Sequence, residues 1–129
     1  MEKFLTPKSK TKFVQWLLEL SLNYNWTITL EYSGNALYTF LLENSTTVDL
    51  PLTARHEYHE DYKLTAINNF RLTQKFINKL IKSYSVLSVH DEKEMIFLIA
   101  DDFDKDCFSC TENFYQKYYQ ELKNLHLIY

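Results

Sequence analysis

Glycine is nearly absent from this chain, because Gly34 is its only glycine in 129 residues. A P-loop or a dinucleotide-binding fingerprint needs several glycines, since the backbone must turn tightly and approach the phosphate closely. The sequence therefore excludes both types of phosphate-binding loop. It also contains no internal repeat and no low-complexity linker.

Long apolar runs are missing as well. No stretch approaches the length of a membrane span, and the N-terminus lacks the apolar segment of a signal peptide. We therefore expect a cytoplasmic protein that does not bind membranes. Its two cysteines, Cys107 and Cys110, are expected to be reduced.

The composition is that of a folded protein of ordinary size. Apolar residues make up 46% of the chain and aromatic residues 16%, which is too much apolar surface for a disordered chain. A length of 129 residues suits one domain with one core. We predict a single domain over residues 1–129.

The net charge of −3 conceals an uneven distribution. Between Asp91 and Glu112 there are eight carboxylates against Lys93 and Lys105, while the first twelve residues carry four lysines. Nucleic-acid-binding proteins normally present a basic face, so we expect no direct contact with nucleic acid. An acidic surface instead favours a positively charged protein partner.

Three segments have apolar residues at three- and four-residue spacing, which predicts three helices. The first is predicted from Thr6-Pro7, where a hydroxyl can cap and proline fits the first turn, to about Asn23. The second is predicted at Asn69–Ser83. The last follows a capping box made of Ser109 and Glu112. Its buried face is predicted to consist of Phe114, Tyr118, Leu122 and Leu125.

Alternation with a period of two predicts five strands. A meander with a turn at 33–35 and a hairpin around 90–93 connect them. The continuous apolar run Met95–Ile99 indicates a strand in the middle of the sheet, buried on both faces. The strands are predicted at Trp26–Tyr32, Ala36–Glu43, Thr46–Leu50, Val86–Val89 and Glu94–Ala100.

This order of elements, α-β-β-β-α-β-β-α, predicts an α+β fold. The short connections favour a mainly antiparallel sheet, which the three helices accompany. Residues 51–67 show no clear period and predict no element. A connection of that length is more often functional or poorly ordered than incidental.

Two pairs of residues could supply zinc ligands. His56 and His59 offer nitrogens, and the pair Cys107 and Cys110 offers sulfurs, which together are the set that a structural zinc prefers. This site requires two distant loops to meet. The alternative is a surface histidine pair and two ordinary cysteines, whose acidic neighbours disfavour a redox-active thiolate.

Three alternating aspartates resemble the start of a calcium loop, because hard cations need several converging oxygens. They are Asp102, Asp104 and Asp106. Cys107 and Asn113 stand where such a loop needs glycine and a bidentate glutamate. A solvated turn is therefore the favoured interpretation, and no cofactor is predicted.

The sequence contains no recognisable catalytic set. None of its serines lies in a G-x-S-x-G turn, and no histidine neighbours a cysteine. His56, His59, His90 and His126 would have to meet a carboxylate in space to form one. We predict that the chain is not an enzyme.

Tyrosine is abundant, with ten residues, and several fall where we expect contact with solvent. A tyrosine offers a large, stiff contact area with a polar tip, which is why interfaces are enriched in it. The coding bias of an AT-rich genome would produce the same abundance without a binding role, so both interpretations stay open. The tyrosines concerned are Tyr24, Tyr58, Tyr62, Tyr115 and Tyr119.

These features together predict a non-catalytic inhibitor that occludes a basic, nucleic-acid-acting target protein. In general style, rather than in any motif, the chain resembles bacterial toxin immunity proteins and phage-encoded inhibitors of bacterial defence such as anti-CRISPR proteins. Two alternatives are a small metal-dependent enzyme or zinc-stabilised domain, and a structural subunit of a homo-oligomer such as a homodimer. The predicted partner-binding residues are Asp91, Glu92, Asp101, Asp102, Asp104, Asp106, Glu112, Tyr58, Tyr62 and Tyr115.

Overall fold

The computed structural model describes residues 1–33, 52–55, 60–64, 73–83 and 86–129, of which 31–33, 52–55, 60–64, Ser83 and Asp102 are described by their backbone alone. Within these ranges the chain forms three helices, as predicted, and a sheet, so the α+β class is confirmed. The helices are α1 (Lys10–Asn23), α2 (Gln74–Ser83) and α3 (Glu112–Asn124). The strands are β1 (Lys3–Phe4), β2 (Thr27–Ser33), β3 (Leu52–Arg55), β4 (Glu60–Leu64), β5 (Val86–His90), β6 (Met95–Ile99) and β7 (Phe108–Cys110).

The described strands form one sheet in the order β1-β7-β6-β5-β2-β4-β3. Every neighbouring pair is antiparallel, which confirms the predicted antiparallel character of the sheet for these strands. β6 lies between β7 and β5 and three of its five residues are buried, so the predicted interior strand is confirmed, but its predicted place in the middle of the sheet is not. The central position of the seven belongs to β5.

The three helices cover one face of the sheet. Phe13 of α1 places its ring 5.6 Å from the ring of Phe97 in β6, and Phe114 of α3 packs 5.1 Å from the same ring. α2 lies beside α1 and contributes the fully buried Ile77 and Leu80. None of the helices in the described ranges is both long and apolar enough to cross a bilayer. One row of the sheet beneath the helices consists of Leu30, Leu87 and Ile99.

The first helix begins at Lys10, so the predicted start at Thr6-Pro7 is wrong. Ser9 is the N-cap residue, and its Oγ accepts a hydrogen bond from the backbone N–H of Lys12 at 3.3 Å. Pro7 instead forms an antiparallel bridge with Ile128. This pairing between distant parts of the chain keeps residues 6–8 extended. The helix therefore begins only after Ser9, the next residue with a hydroxyl that can cap it.

The capping box predicted for the last helix is also wrong. Thr111 is the N-cap residue, and its Oγ1 accepts from the N–H of Phe114 at 3.2 Å. Ser109 lies two residues earlier in β7, where its hydroxyl donates to the carbonyl oxygen of Leu98. Ser109 therefore belongs to a strand that pairs with β6, and it is not available to cap the helix as the local pattern predicted.

Replacing Thr111 with alanine should lower the free energy of unfolding by about 1 kcal/mol, the usual effect of losing an N-cap side chain. Thr111→Ser keeps a capping hydroxyl and should change it by less than about 0.5 kcal/mol. Urea denaturation of both variants measures the difference. Equal losses in the two variants would show that the hydroxyl does not cap α3.

The buried face of α3 is confirmed for Phe114, Tyr118 and Leu122, but not for Leu125. Leu125 is 52% exposed, because it is the C-cap residue and the chain leaves the helix there. The spacing is helical, yet the last member lies beyond the part of the helix that contacts the sheet.

Residues 51–67 contain two strands that the sequence pattern did not predict. β3 and β4 pair with each other, and β4 also pairs with β2. Charged residues make up three of the five positions of β4, and a bulge interrupts β3, so the apolar period is weak in both. The predicted turn at 33–35 reaches beyond the described residues, and the strands predicted at 36–43 and 46–50 and the helix start at 69–72 lie outside them.

Candidate protein-binding site

The predicted acidic surface is divided between two ends of the sheet. Asp91 and Glu92 belong to the turn between β5 and β6, whereas Asp101–Asp106 follows β6 at its other end. The five residues of β6 separate the two groups, which corresponds to roughly 16 Å at about 3.3 Å per residue. Glu112 lies at the same end as Asp91, because β7 runs back along β6 before α3 begins. The predicted residues therefore do not form one patch.

Asp101–Asp106, the acidic turn, is a loop held by its own backbone. It opens with a 3-10 turn, in which the N–H of Asp104 donates to the carbonyl oxygen of Asp101 at 3.1 Å. The Oδ1 atom of Asp104 in turn accepts from the N–H of Asp106 at 2.9 Å. Asp101, Asp104 and Asp106 are exposed, and no lysine or arginine among the described residues forms an ion pair with them.

A buried phenylalanine anchors the acidic turn. Phe103 is fully buried and its ring lies 6.5 Å from the ring of Phe108. Its φ angle of 63° is unfavourable for a residue with a β-carbon, by about 1–2 kcal/mol. Burial of the ring contributes about 2–3 kcal/mol and offsets that strain. The three carboxylates are therefore presented by a loop of defined shape.

Cys107 and Cys110 lie on opposite faces of the extended chain at β7. The Cys107 Sγ donates to Asp101 Oδ2 at 3.3 Å, and this hydrogen bond is the main cause that raises the pKa of the thiol. Cys110 is fully buried under the helices, where burial raises its pKa to about 12. Because an extended strand turns successive side chains to alternate faces, the two sulfurs do not converge on one point.

The structure brings no metal-ligand set together among the residues that it describes. β7 runs through the middle of the segment that resembled a calcium loop, so Phe108–Cys110 pair with β6 and the second half of that segment is a strand and a helix start instead of a loop. The other two predicted zinc ligands, His56 and His59, lie outside the described residues.

Two of the predicted contact residues are engaged by Lys3. Its Nζ lies 3.6 Å from Glu112 Oε2 and 5.3 Å from the centre of the Tyr115 ring. Part of the predicted surface is thus used within the molecule. Of the remaining tyrosines, Tyr62 belongs to β4 and is described by its backbone alone, and Tyr58 lies outside the described residues.

Asp91 organises the turn at the other end of the sheet. Its Oδ1 accepts from the N–H groups of Glu94, at 2.8 Å, and Lys93, at 2.7 Å. These two hydrogen bonds lower the pKa of the Asp91 carboxyl, since they favour its charged form. The carboxylate therefore holds the turn and keeps its negative charge.

A cavity beside this turn was missed by the sequence analysis. It has a volume of about 160 Å³ and lies beside a separate, wider cleft of about 460 Å³, with which it shares Trp26 and Asp91 as lining residues. We call it the aromatic pocket; its lining includes the side chains of Trp26, Asp91, Glu94, Ile96, Phe114, Lys117 and Tyr118. Its lining comes from three separate segments that the sheet brings together, so a local sequence pattern cannot define the pocket. The one hint in the sequence is the pair of aromatic residues in Tyr24-Asn25-Trp26.

No family model matches this sequence, and searches of curated proteins and of solved structures find no match either. A functional interpretation therefore depends on the geometry of the two ends of the sheet.

Proposed function

We propose that the protein is a non-catalytic inhibitor that uses its acidic turn to bind a basic surface of another protein. The observation that carries this proposal is the set of three exposed carboxylates in the acidic turn without an ion-pair partner among the described residues. Small immunity and anti-defence proteins act in this way, by covering the active site or the nucleic-acid-binding surface of their target.

Electrostatics and rigidity both support the proposal. Like charges held on one short loop repel each other, and a basic partner relieves that repulsion while the field steers the two proteins together. The buried Phe103 and the hydrogen bond between Asp104 and Asp106 hold the loop in one shape. A preformed loop loses little conformational entropy when it binds.

The double variant Asp104→Asn/Asp106→Asn tests the proposal. Asparagine at 104 keeps an oxygen that accepts the backbone hydrogen bond, so the variant removes two charges and retains the turn. The target is first captured from cells that carry the gene and identified by mass spectrometry. We expect the variant to bind that target at least about tenfold more weakly, with the wild-type affinity falling as salt rises. Calorimetry measures the affinity, and the target's own activity assay measures inhibition.

The matched control removes the same charge elsewhere. Glu19→Gln/Glu121→Gln changes two exposed carboxylates on α1 and α3 and should retain the affinity within about twofold. Equal losses in the two variants would mean that net charge alone matters. Full binding and inhibition by the Asp104/Asp106 variant would refute the proposal.

A further inference from the structure

Aromatic rings at the edge of the aromatic pocket already hold one cation of this chain. Lys117 Nζ lies 5.5 Å from the centre of the Tyr24 ring and 5.4 Å from the centre of the Tyr118 ring. Tyr24 is itself stacked on Trp26, with ring centres 5.1 Å apart and planes 19° apart. A cation within about 6 Å of a ring centre is attracted by the negative face of the ring. This end of the sheet is therefore built to hold a positive group.

The pocket also contains a buried hydroxyl without a partner. Tyr118 is 7% exposed, and its hydroxyl makes no hydrogen bond with any described residue. Burial, with the nearby Tyr24 phenol as a smaller cause, raises the pKa of Tyr118 to about 12, although the two hydroxyls do not meet hydrogen-bond geometry. Buried polar groups normally have a partner, and an exception calls for an explanation.

Two carboxylates flank the same cavity. Asp91 and Glu94 both line it, and Glu94 is exposed to solvent. Only the Oδ1 atom of Asp91 is used by the turn. The Oδ2 atom is thus left to accept a hydrogen bond from a ligand.

We propose that the aromatic pocket receives the guanidinium group of an arginine side chain presented by a protein partner, in the place where the Lys117 ammonium now lies. The guanidinium plane stacks on the aromatic rings, and its N–H groups donate to Asp91 and Glu94. The guanidinium displaces the Lys117 side chain, and one of its N–H groups then donates a hydrogen bond to the Tyr118 hydroxyl oxygen. The inference rests on the proposed function in one respect, because it takes the partner to be a protein with a basic surface.

The size of the cavity favours one side-chain head over a larger ligand. Its volume is about 160 Å³. Pockets for drug-sized ligands occupy about 300–1,000 Å³. Arginine suits the site better than lysine, because its planar group can stack on a ring and donate to several acceptors at once.

A titration with short capped peptides tests the inference. The probes are acetyl-Gly-Arg-Gly-amide, its lysine counterpart, and its citrulline counterpart, which has the same shape but no charge. The indole N–H signal of Trp26 in a ¹⁵N-labelled sample reports binding, and the backbone N–H signal of Asp104, at the other end of β6, is the internal reference. We expect the arginine peptide to shift the Trp26 signal in a saturable way, the lysine peptide to bind more weakly, and the citrulline peptide to cause no saturable shift.

Variants on the two sides of the pocket should act in opposite directions. Glu94→Gln, alone and with Asp91→Asn, removes negative charge, and the asparagine side chain keeps the oxygen that accepts the turn's hydrogen bonds. We expect the double variant to bind the arginine peptide about tenfold more weakly. Lys117→Gln removes the resident ammonium and its repulsion, and should strengthen binding about fivefold. The exposed positions Glu94 and Lys117 keep the test valid even if Asp91→Asn disturbs the turn.

The result that overturns the inference is an arginine peptide that binds no better than the lysine or citrulline peptide, or a Lys117→Gln variant that binds no more tightly than wild type. The Asp104→Asn/Asp106→Asn variant separates this inference from the proposed function. It should bind the arginine peptide as wild type does, since the acidic turn lies at the other end of β6. Target binding lost in that variant, combined with no peptide binding in wild type, would refute the pocket and leave the inhibitor proposal standing.

Discussion

Replacing Phe13 with alanine should lower the free energy of unfolding by about 4 kcal/mol, within the range for buried phenylalanine. The side chain is fully buried at the point where α1 meets the sheet. Its ring lies 5.4 Å from that of Phe108, 5.6 Å from that of Phe97 and 5.7 Å from that of Trp16. Its loss opens a cavity between helix and sheet that these rigid rings cannot fill. Urea denaturation should show a lower midpoint with an unchanged slope.

Phe4 provides the matched control for Phe13. It is also a phenylalanine, but it lies in the edge strand β1 and is 62% exposed. Phe4→Ala should change the free energy of unfolding by less than about 0.5 kcal/mol. If the two variants lost similar stability, the core would not lie where the described residues place it.

The periodic spacing of apolar residues predicted several of the helices and strands correctly. The two-residue period from Trp26 corresponds to β2, and the hairpin around 90–93 corresponds to β5 and β6. Each of these strands keeps one face under the helices, so its most deeply buried residues alternate along the sequence. They are Ile28 and Leu30, Leu87 and Val89, and Phe97 and Ile99. The same reasoning holds for α3, whose buried residues fall on one side of the helix.

Pairing between distant segments explains what the sequence did not reveal. β1 has two residues and β7 has three, too few to show a period, and they become strands because β7 pairs with β6 on one side and β1 on the other. The same pairing removes Ser109 from the helix that it was predicted to cap. Likewise, the bridge between Pro7 and Ile128 delays the start of α1. In each case a tertiary contact outweighs a local preference.

The residues of the candidate site also differ in whether they could be predicted from local sequence. The acidic turn is contiguous in sequence, so its carboxylates could be identified from the sequence alone. The aromatic pocket is not contiguous, because Trp26, Glu94 and Tyr118 come from three segments that meet only through the antiparallel sheet. The sheet also explains why Asp91 and the acidic turn lie apart: they follow opposite ends of one strand.

Raising the pH from 9 to 10 should destabilise the folded protein through Cys110. Burial raises the pKa of this thiol to about 12, whereas an unfolded cysteine has a pKa of about 8.5. The folded state therefore keeps a proton that the unfolded chain releases. The stability from the neutral thiol is complete below about pH 8.5 and is lost as the pH rises towards the folded pKa, by about 1.4 kcal/mol per pH unit for one proton. Urea denaturation in reducing buffer at half-unit steps measures this slope.

A variant of Cys107 is the control that shows whether the effect requires a buried cysteine. Its pKa is raised mainly by the hydrogen bond to Asp101, and its side chain is only partly buried. Cys107→Ala should retain most of the decline between pH 9 and 10, whereas Cys110→Ala should remove most of it. Above pH 10 both variants should decline, because Tyr118 also has a pKa raised to about 12 by burial. A slope that vanished in Cys107→Ala and persisted in Cys110→Ala would contradict the placement of Cys110 beneath the helices.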